Sequence, residues 1–293
     1  MNDAPTHALL RDRALVSVTG PDWRSFLQGL LSQDVEGLAV GELRFGALLS
    51  PQGRLLFDLF ILGRQDGCWL DVASDRREAL IARLAMYRLR AKVEIAALDG
   101  VVSALFSDHS REGGNPSDRS TAAEQAWVPA SAGTNGYCQD PRLPALGLRG
   151  YGVVAPPGER ADAAAYDRHR LALGVPDTAD FGEDSTYPIE ADFDLLNGID
   201  FKKGCFVGQE TTSRMKRRGQ IRSRMLPITF DGPPPAFGAE ILNGELRAGQ
   251  VLSGVPGRAM ALLRLDRLEG PTLTADGRTV SVGRPAWLES PES

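Results

Sequence analysis

The chain has 293 residues, of which 42% are apolar and 24% are charged, so it can bury a sizeable core and is not broadly disordered. This length is enough for about two or three compact units of ~100–150 residues each. The net charge of −5 at pH 7 argues against a protein that binds polyanions over its whole surface, but it leaves room for a local basic patch.

Hydrophobic patterns give the first hundred residues a clear order of elements. Residues 14–19 alternate as a strand does, and a Gly-Pro-Asp sequence then opens a helix. The segment 45–62 is typical of a β-hairpin with a tight turn at 50–53. Another strand, a helix after residue 74 and a closing strand follow. This β-β-α-β order over about 50–100 predicts an antiparallel sheet covered by helices, hence an α+β fold.

Asp58 stands out in the second strand of this hairpin. Alternation places it in a row with Arg54, Leu56 and Phe60, on a largely apolar face. A buried carboxylate without partners is costly, so Asp58 should have a hydrogen-bond partner or a ligand. A structural aspartate, either satisfied by a neighbour or exposed at a sheet edge, is the alternative interpretation.

The composition changes twice in the second half of the chain. Residues 107–136 are rich in Gly, Ser, Asn, Asp and Ala and are predicted to form a surface loop. A helix is predicted over 161–173, and a shorter one over 188–196 that stops at an Asn-Gly pair. From about residue 225, short strands, Asn-Gly and Asp-Gly turns and many glycines predict a small β-barrel or sandwich over 225–293.

Cysteine and histidine usage disfavours several kinds of site. Cys68, Cys138 and Cys205 lie far apart with no Cys-x-x-Cys motif, which argues against a disulfide framework and a closed cysteine zinc site. The three histidines have no metal-ligand spacing. The N-terminal segment lacks a signal-peptide pattern, and no apolar stretch approaches ~18–20 residues. We therefore expect a cytoplasmic protein without a membrane segment.

One cysteine lies in a distinctive context. Residues 202–210 read KKGCFVGQE, and eight basic residues stand against one acidic residue within 202–224. Cationic neighbours and a helix beginning near Gln209 would favour a thiolate at Cys205. The residues alone leave three interpretations open: an inert buried cysteine, a reactive thiol, or one ligand of a metal cluster shared with another molecule. The basic run 214–224 could bind phosphates or be solvated surface.

The stretch KKGCFVGQETTSR resembles the signature K-G-C-[FY]-x-G-Q-E of the folate-binding YgfZ family. That family is related to the aminomethyltransferase (T-protein) of the glycine cleavage system and includes an iron–sulfur cluster assembly factor. Segments such as GPDWRSFLQGLLSQDV, PQGRLLFDLFIL and YDRHRLALGVP resemble family segments in the same order over most of residues 8–230. The resemblance implies a T-protein-like α+β fold. Residues 1–224 would form two α+β units around a central folate cavity, and 225–293 a C-terminal β-barrel.

The resemblance also implies a function, a cofactor and a site. We expect a protein that binds tetrahydrofolate or a one-carbon derivative and assists assembly or repair of [4Fe–4S] clusters in client enzymes. Client enzymes and iron–sulfur assembly proteins would be its partners, and no metal site of its own is implied. Cys205 would be the critical thiol, framed by Lys203, Gly204, Gly208, Gln209 and Glu210. The folate would be bound by Asp58, Tyr166 and Arg214.

Two departures from the T-protein pattern put aminomethyl transfer in doubt. Phe57 stands where that enzyme has the first aspartate of a pair, and Ala172 stands where it has a glutamate that binds the pterin. A folate-dependent aminomethyltransferase is therefore the first alternative function. A module that binds RNA or another protein through the basic run 214–224 is the second, although the net charge makes nucleic acid an unfavourable partner.

Overall fold

The computed structural model describes residues 5–107, 136–152, 157–182, 184–218, 221–270 and 272–288. The predicted loop at 107–136 lies almost wholly outside these residues. The α-helices of the described part are α1 (Trp23–Gln28), α2 (Arg77–Arg88), α3 (Ala163–Ala172) and α4 (Gln209–Arg218). The strands are β1 (Thr6–Leu9), β2 (Arg13–Thr19), β3 (Leu43–Leu49), β4 (Leu55–Arg64), β5 (Gly67–Ala73), β6 (Glu94–Leu98), β7 (Val102–Phe106), β8 (Tyr137–Gln139), β9 (Leu148–Tyr151), β10 (Glu159–Ala161), β11 (Ser223–Thr229), β12 (Glu240–Asn243), β13 (Leu246–Val255), β14 (Arg258–Arg264), β15 (Leu273–Ala275) and β16 (Arg278–Val282).

The predicted hairpin belongs to an antiparallel sheet with the order β3-β4-β5-β2-β6. Strand β4 is buried on both faces, because Phe57 and Leu59 contribute to one apolar cluster while Phe60 and Leu62 contribute to another. The first cluster also contains apolar side chains of α1 and α2, which cover that face of the sheet. The predicted antiparallel sheet covered by helices is therefore confirmed.

A second sheet lies across the other face of the first. Its order is β10-β1-β7-β9-β8, in which only the pair β1 and β10 runs parallel. Phe45 and Phe60 of the first sheet share one core cluster with Ala104 and Phe106 of the second and with Tyr166 of α3. The two α+β units thus meet at a common centre, which is where the predicted cavity would lie.

The C-terminal segment forms a closed barrel with the order β11-β14-β13-β12-β15-β16. It begins at Ser223, close to the predicted boundary at 225, and has an apolar core of its own. Helix α3 joins the barrel to the rest of the protein, because Arg170 bonds both Asp180 and Ser253 at 2.8 Å. Among the described helices, none is long and apolar enough to cross a membrane.

The predicted helix over 188–196 is wrong, since this segment forms a series of turns. Asp192 and Asn197 have left-handed φ values of 60° and 56°, which a right-handed helix does not allow. Arg224 at the start of the barrel holds this geometry through bonds of 2.6 Å to Asp192 and of 2.8 Å and 3.0 Å to Asp194. The turns therefore carry the chain from the barrel interface toward Cys205.

Arg224 is the shared hydrogen-bond donor to the carboxylates of Asp192 and Asp194. The second carboxyl oxygen of Asp192 is buried without a hydrogen-bond partner. Burial raises the pKa of Asp192 to about 8, even though Arg224 opposes the shift. Burial of this carboxyl group therefore favours its protonated form in the folded protein.

Candidate functional site

Cys205 is exposed on the signature loop, which we define as residues 200–208, immediately before α4. Cys68 and Cys138 are buried, and burial raises the pKa of both thiols. All three cysteines of the chain lie in described segments, and Cys205 is the one that presents its sulfur to other molecules. The interpretation of Cys205 as a buried residue is therefore wrong.

Lys203 ties the signature loop to the segment that follows α1. Its ammonium group donates to the backbone carbonyl oxygens of Gln28 at 2.7 Å, Leu31 at 2.5 Å and Gln33 at 3.0 Å. Burial lowers the pKa of Lys203 to about 8, against the opposing charges of Asp34, Asp200 and Glu36. All three donors of the side chain are thus used within the fold.

Asp200 and Ser32 fix the beginning of the signature loop. The Asp200 carboxylate accepts from the backbone N–H groups of Lys202 at 2.7 Å and Lys203 at 3.2 Å, which shapes the turn before Cys205. The Asp200 N–H donates to the Ser32 carbonyl at 3.0 Å, and the Ser32 hydroxyl donates to the Gly198 carbonyl at 2.6 Å. The loop is therefore anchored by backbone bonds as well as by Lys203.

Gly208 fixes the end of the signature loop by close packing against the hairpin turn. Gly208 and Gly53 both have left-handed φ, at 79° and 80°. A Cβ at Gly208 would lie 2.6 Å from the Ser50 carbonyl oxygen, and one at Gly53 would lie 2.7 Å from Cβ of Thr211. These contacts leave no room for a side chain. Gly204 differs, because a Cβ there would meet nothing within 4 Å.

Helix α4 begins at Gln209, as predicted, and carries the basic run away from Cys205. Glu210 forms an ion pair with Arg214 on the exposed surface of the helix. The side chain of Lys216 lies over the ring of Phe201, with its ammonium nitrogen 4.1 Å from the ring centroid. Arg214, predicted to bind folate, is thus engaged with Glu210 at the surface and forms no hydrogen bond or ion pair with Asp58 or Tyr166.

Asp58 is buried in the centre of the protein with both carboxyl oxygens engaged. Arg13 donates to Oδ2 at 2.8 Å, and the Thr178 hydroxyl lies 2.9 Å and 3.0 Å from the two oxygens. Arg13 also donates to Oδ1 of Asp71 at 2.6 Å. The sequence correctly indicated that this carboxylate needs a partner, and the structure supplies an arginine of the same chain.

The arginine and aspartate side chains form one continuous chain of contacts, which we call the central ionic network. It consists of Arg13, Asp58, Asp71, Asp140, Arg142, Arg149 and Asp177. Asp71 joins Arg13 to Arg149, whose guanidinium lies 2.7 Å from Oδ2 of Asp71 and 3.7 Å from the Phe60 ring centroid. Burial would raise the pKa of Asp71, but Arg13 and Arg149 hold it below its ordinary value.

Tyr166 belongs to the same network. Its hydroxyl accepts a hydrogen bond of 2.9 Å from Arg142, which also binds Asp140 at 2.9 Å and Asp177 at 3.1 Å. Burial raises the pKa of Tyr166. The structure therefore links Asp58 and Tyr166 through buried arginines, whereas Arg214 is not part of these contacts.

The space beside Asp58 does not fit a pterin. The cavity there measures about 50 Å³ and is lined by Phe57, Asp58, Arg76, Thr178 and neighbouring residues. Sites for small organic ligands are usually ~300–1,000 Å³. A second cavity of about 220 Å³ has aromatic walls that include Trp69, but no predicted folate residue lines it. Buried arginine side chains fill the centre of the fold instead.

The sequence analysis predicted Asp58 but none of the other charged residues of the central ionic network. Asp71 and Arg149 are charged residues inside apolar strands, which is the same signal that singled out Asp58. Their mutual contact joins residues 78 positions apart in the sequence, and the two lie in different sheets. A charged residue within an apolar strand is therefore a pattern that identifies Asp71 and Arg149, although it does not identify their partners.

Comparisons with known proteins agree with this architecture. Residues 222–290 match the family model described as CAF17, C-terminal beta-barrel domain. The chain is 31% identical to the iron-sulfur cluster assembly factor IBA57 homolog, mitochondrial, of Mycosarcoma maydis, over 95% of this chain and 82% of that protein. It is also 31% identical to the protein of the same name from Coccidioides immitis, over 92% of this chain and 74% of that protein.

A solved structure gives a further comparison. The glycine cleavage system aminomethyltransferase T from Bartonella henselae superposes with a TM-score of 0.73 at 18% identity, covering 98% of this chain and 87% of that one. The predicted T-protein-like fold with a C-terminal barrel is thereby confirmed. At this level of identity the likeness shows the fold alone.

Proposed function

The chain belongs to the family of the IBA57 iron–sulfur cluster assembly factors, and from this premise we propose that it assists the assembly or repair of [4Fe–4S] clusters in client enzymes. The observation that carries the proposal is the exposed thiol of Cys205 on a loop that is fixed at Asp200, Lys203 and Gly208. The partners of the protein would be those client enzymes and the proteins that supply their clusters.

The proposed chemistry of the site is limited to what this loop can do. A thiolate is the form of cysteine that binds iron, and Cys205 can give one such ligand. Within the described segments, no three His, Cys, Asp or Glu side chains are placed to hold a metal ion. The other ligands of a cluster held at Cys205 would therefore come from the partner that delivers or receives it. The cluster is cargo in this proposal.

The test is complementation of a strain that lacks this protein, read out as the activity of a [4Fe–4S] dehydratase. Wild type should restore the activity, whereas Cys205→Ala and Cys205→Ser should not. Cys138→Ala is the matched control, since it removes a buried thiol whose hydrogen bond goes to the Gly41 carbonyl. If Cys205→Ala restores the dehydratase fully, the thiol has no role in the function and the proposal fails.

Binding of tetrahydrofolate or a one-carbon derivative stays a prediction of the sequence. The arrangement at Asp58 weighs against it, since both carboxyl oxygens already have partners and the adjoining cavity is small. Calorimetric titration of the wild-type protein with tetrahydrofolate decides the question directly. A cytoplasmic location likewise stays a prediction.

The two alternative functions have less support. Aminomethyl transfer is supported by the fold alone, and Ala172 supplies no carboxylate for a pterin. Binding of RNA would use α4, on which Arg214 and Arg217 are exposed. A steep fall of RNA affinity with salt concentration, whose log–log slope becomes shallower by about one in an Arg217→Gln variant, would support that function.

A further inference from the structure

Lys203 joins two segments that lie far apart in the sequence. Its three carbonyl acceptors are 170–175 positions away from it and belong to the end of α1 and the residues just after it. Carbonyl groups at a helix C-terminus have no partner within the helix, so they require donors from elsewhere. The Lys203 ammonium supplies these donors from the loop that carries Cys205.

The chemistry of this contact requires a compact ammonium group. Three oxygens converge on one nitrogen at 2.5–3.0 Å, and the ring centroid of Phe206 lies 5.2 Å from the same nitrogen. A lysine can direct three donors from one atom, whereas the planar guanidinium of arginine spreads its donors along a fork. The site is therefore built for lysine and not simply for a positive charge.

We propose that Lys203 is a positioning residue for Cys205. Its ammonium locks the middle of the signature loop onto the carbonyl groups after α1, and this contact sets where the Cys205 thiol is presented. Asp200 and Gly208 fix the two ends of the loop, and Lys203 fixes the part between them, two residues before the thiol. The consequence for cluster assembly rests on the proposed function, but the effect on the thiol's position does not.

The exposure of the cysteines makes a direct test practicable. Cys68 and Cys138 are buried, so a methanethiosulfonate nitroxide attached to the native protein reports on Cys205. We would compare the spin-label spectrum in wild type, Lys203→Met and Lys203→Arg. Lys202→Met is the matched control, because the neighbouring Lys202 side chain is exposed and only its backbone N–H takes part in the loop.

We expect a more mobile nitroxide in Lys203→Met, a smaller increase in Lys203→Arg, and a spectrum like that of wild type in Lys202→Met. Amide hydrogen exchange at 200–208 should be faster by about tenfold or more in Lys203→Met, because three charge-assisted hydrogen bonds are lost. Exchange in the barrel should not change. A residue that merely stabilised the whole protein would speed exchange everywhere and leave the label's motion in the folded state as it was.

Unchanged nitroxide mobility and unchanged exchange at 200–208 in a folded Lys203 variant would overturn the proposal. If Lys203→Met does not fold, Lys203→Arg keeps the charge and decides the question by the same two measurements. Complementation by the variants separates the two proposals. If Cys205→Ala restores the dehydratase, the proposed function fails, while the spin label still decides whether Lys203 positions the thiol.

Discussion

The substitution Asp71→Asn should destabilise the protein far more than Asp58→Asn, although each removes one buried carboxylate charge. Asp71 bonds Arg13 at 2.6 Å and Arg149 at 2.7 Å. Without Asp71, Arg13 still pairs with Asp58, but the buried Arg149 is left with the more distant carboxylate of Asp140 at 3.9 Å. Removing one partner of a buried ion pair costs about 3–5 kcal/mol. After Asp58→Asn, Arg13 keeps its bond to Asp71. We therefore expect the free energy of unfolding to fall by about 1.5–3 kcal/mol, the range for a hydrogen bond to a charged group.

Urea unfolding followed by tryptophan fluorescence measures both changes, with an unchanged m-value as the check that each variant still unfolds from a comparable native state. Equal losses for the two variants would refute the reasoning, because it depends on Asp71 serving two arginines and Asp58 one. A tetrahydrofolate titration of the same samples adds a second test. If Asp58→Asn keeps full stability and abolishes binding, Asp58 is a ligand residue and not a structural one.

Three further predictions concern the loop and the turns before it. Gly208→Ala should lower the free energy of unfolding by about 2 kcal/mol or more, because the position has a left-handed φ and an added Cβ would clash with the hairpin turn. Gly204→Ala should leave it nearly unchanged in the same urea assay. The stability of wild type should fall as pH rises from about 4 toward 8, because folded Asp192 keeps a proton that the unfolded chain releases near pH 3.8. Asp192→Asn should remove this part of the pH dependence, and an unchanged slope would contradict the proposed protonation. A thiol reagent should modify Cys205 alone in the native protein and all three cysteines after unfolding.

The elements that the sequence predicts well are those whose pattern is local. The hairpin at β3 and β4 and the helix start at Gln209 follow from alternation, turn residues and the onset of helical spacing. The sequence of 188–196 predicts a helix, whereas the structure has turns there, in which the left-handed Asp192 is bonded to Arg224, a residue 32 positions away. Local propensity carries no information about such a contact.

The site shows the same limit at finer scale. The sequence indicates the signature around Cys205 as a motif, and it indicates Asp58 as a charge in an apolar strand. The sequence does not indicate the role of Lys203, because its partners are backbone carbonyl groups. Every residue has such a group, and no sequence pattern distinguishes one from another. Likewise, the pairing of Arg13 with Asp58 depends on the sheet order, which places β2 and β4 on either side of β5.

The central ionic network and the signature loop differ in what they leave available to other molecules. In the network, Asp58 and Asp71 are fully engaged by Arg13, Arg149 and Thr178, so a ligand entering there would first have to break buried ion pairs. In the signature loop, the polar groups are used to fix the backbone, and the Cys205 thiol is left exposed. Substitutions in the network should therefore lower stability while a folded variant still supports cluster enzymes. Cys205→Ala should do the reverse, with full stability and no support. A network variant that remains folded yet fails to complement would show that the centre of the fold takes part in the chemistry after all.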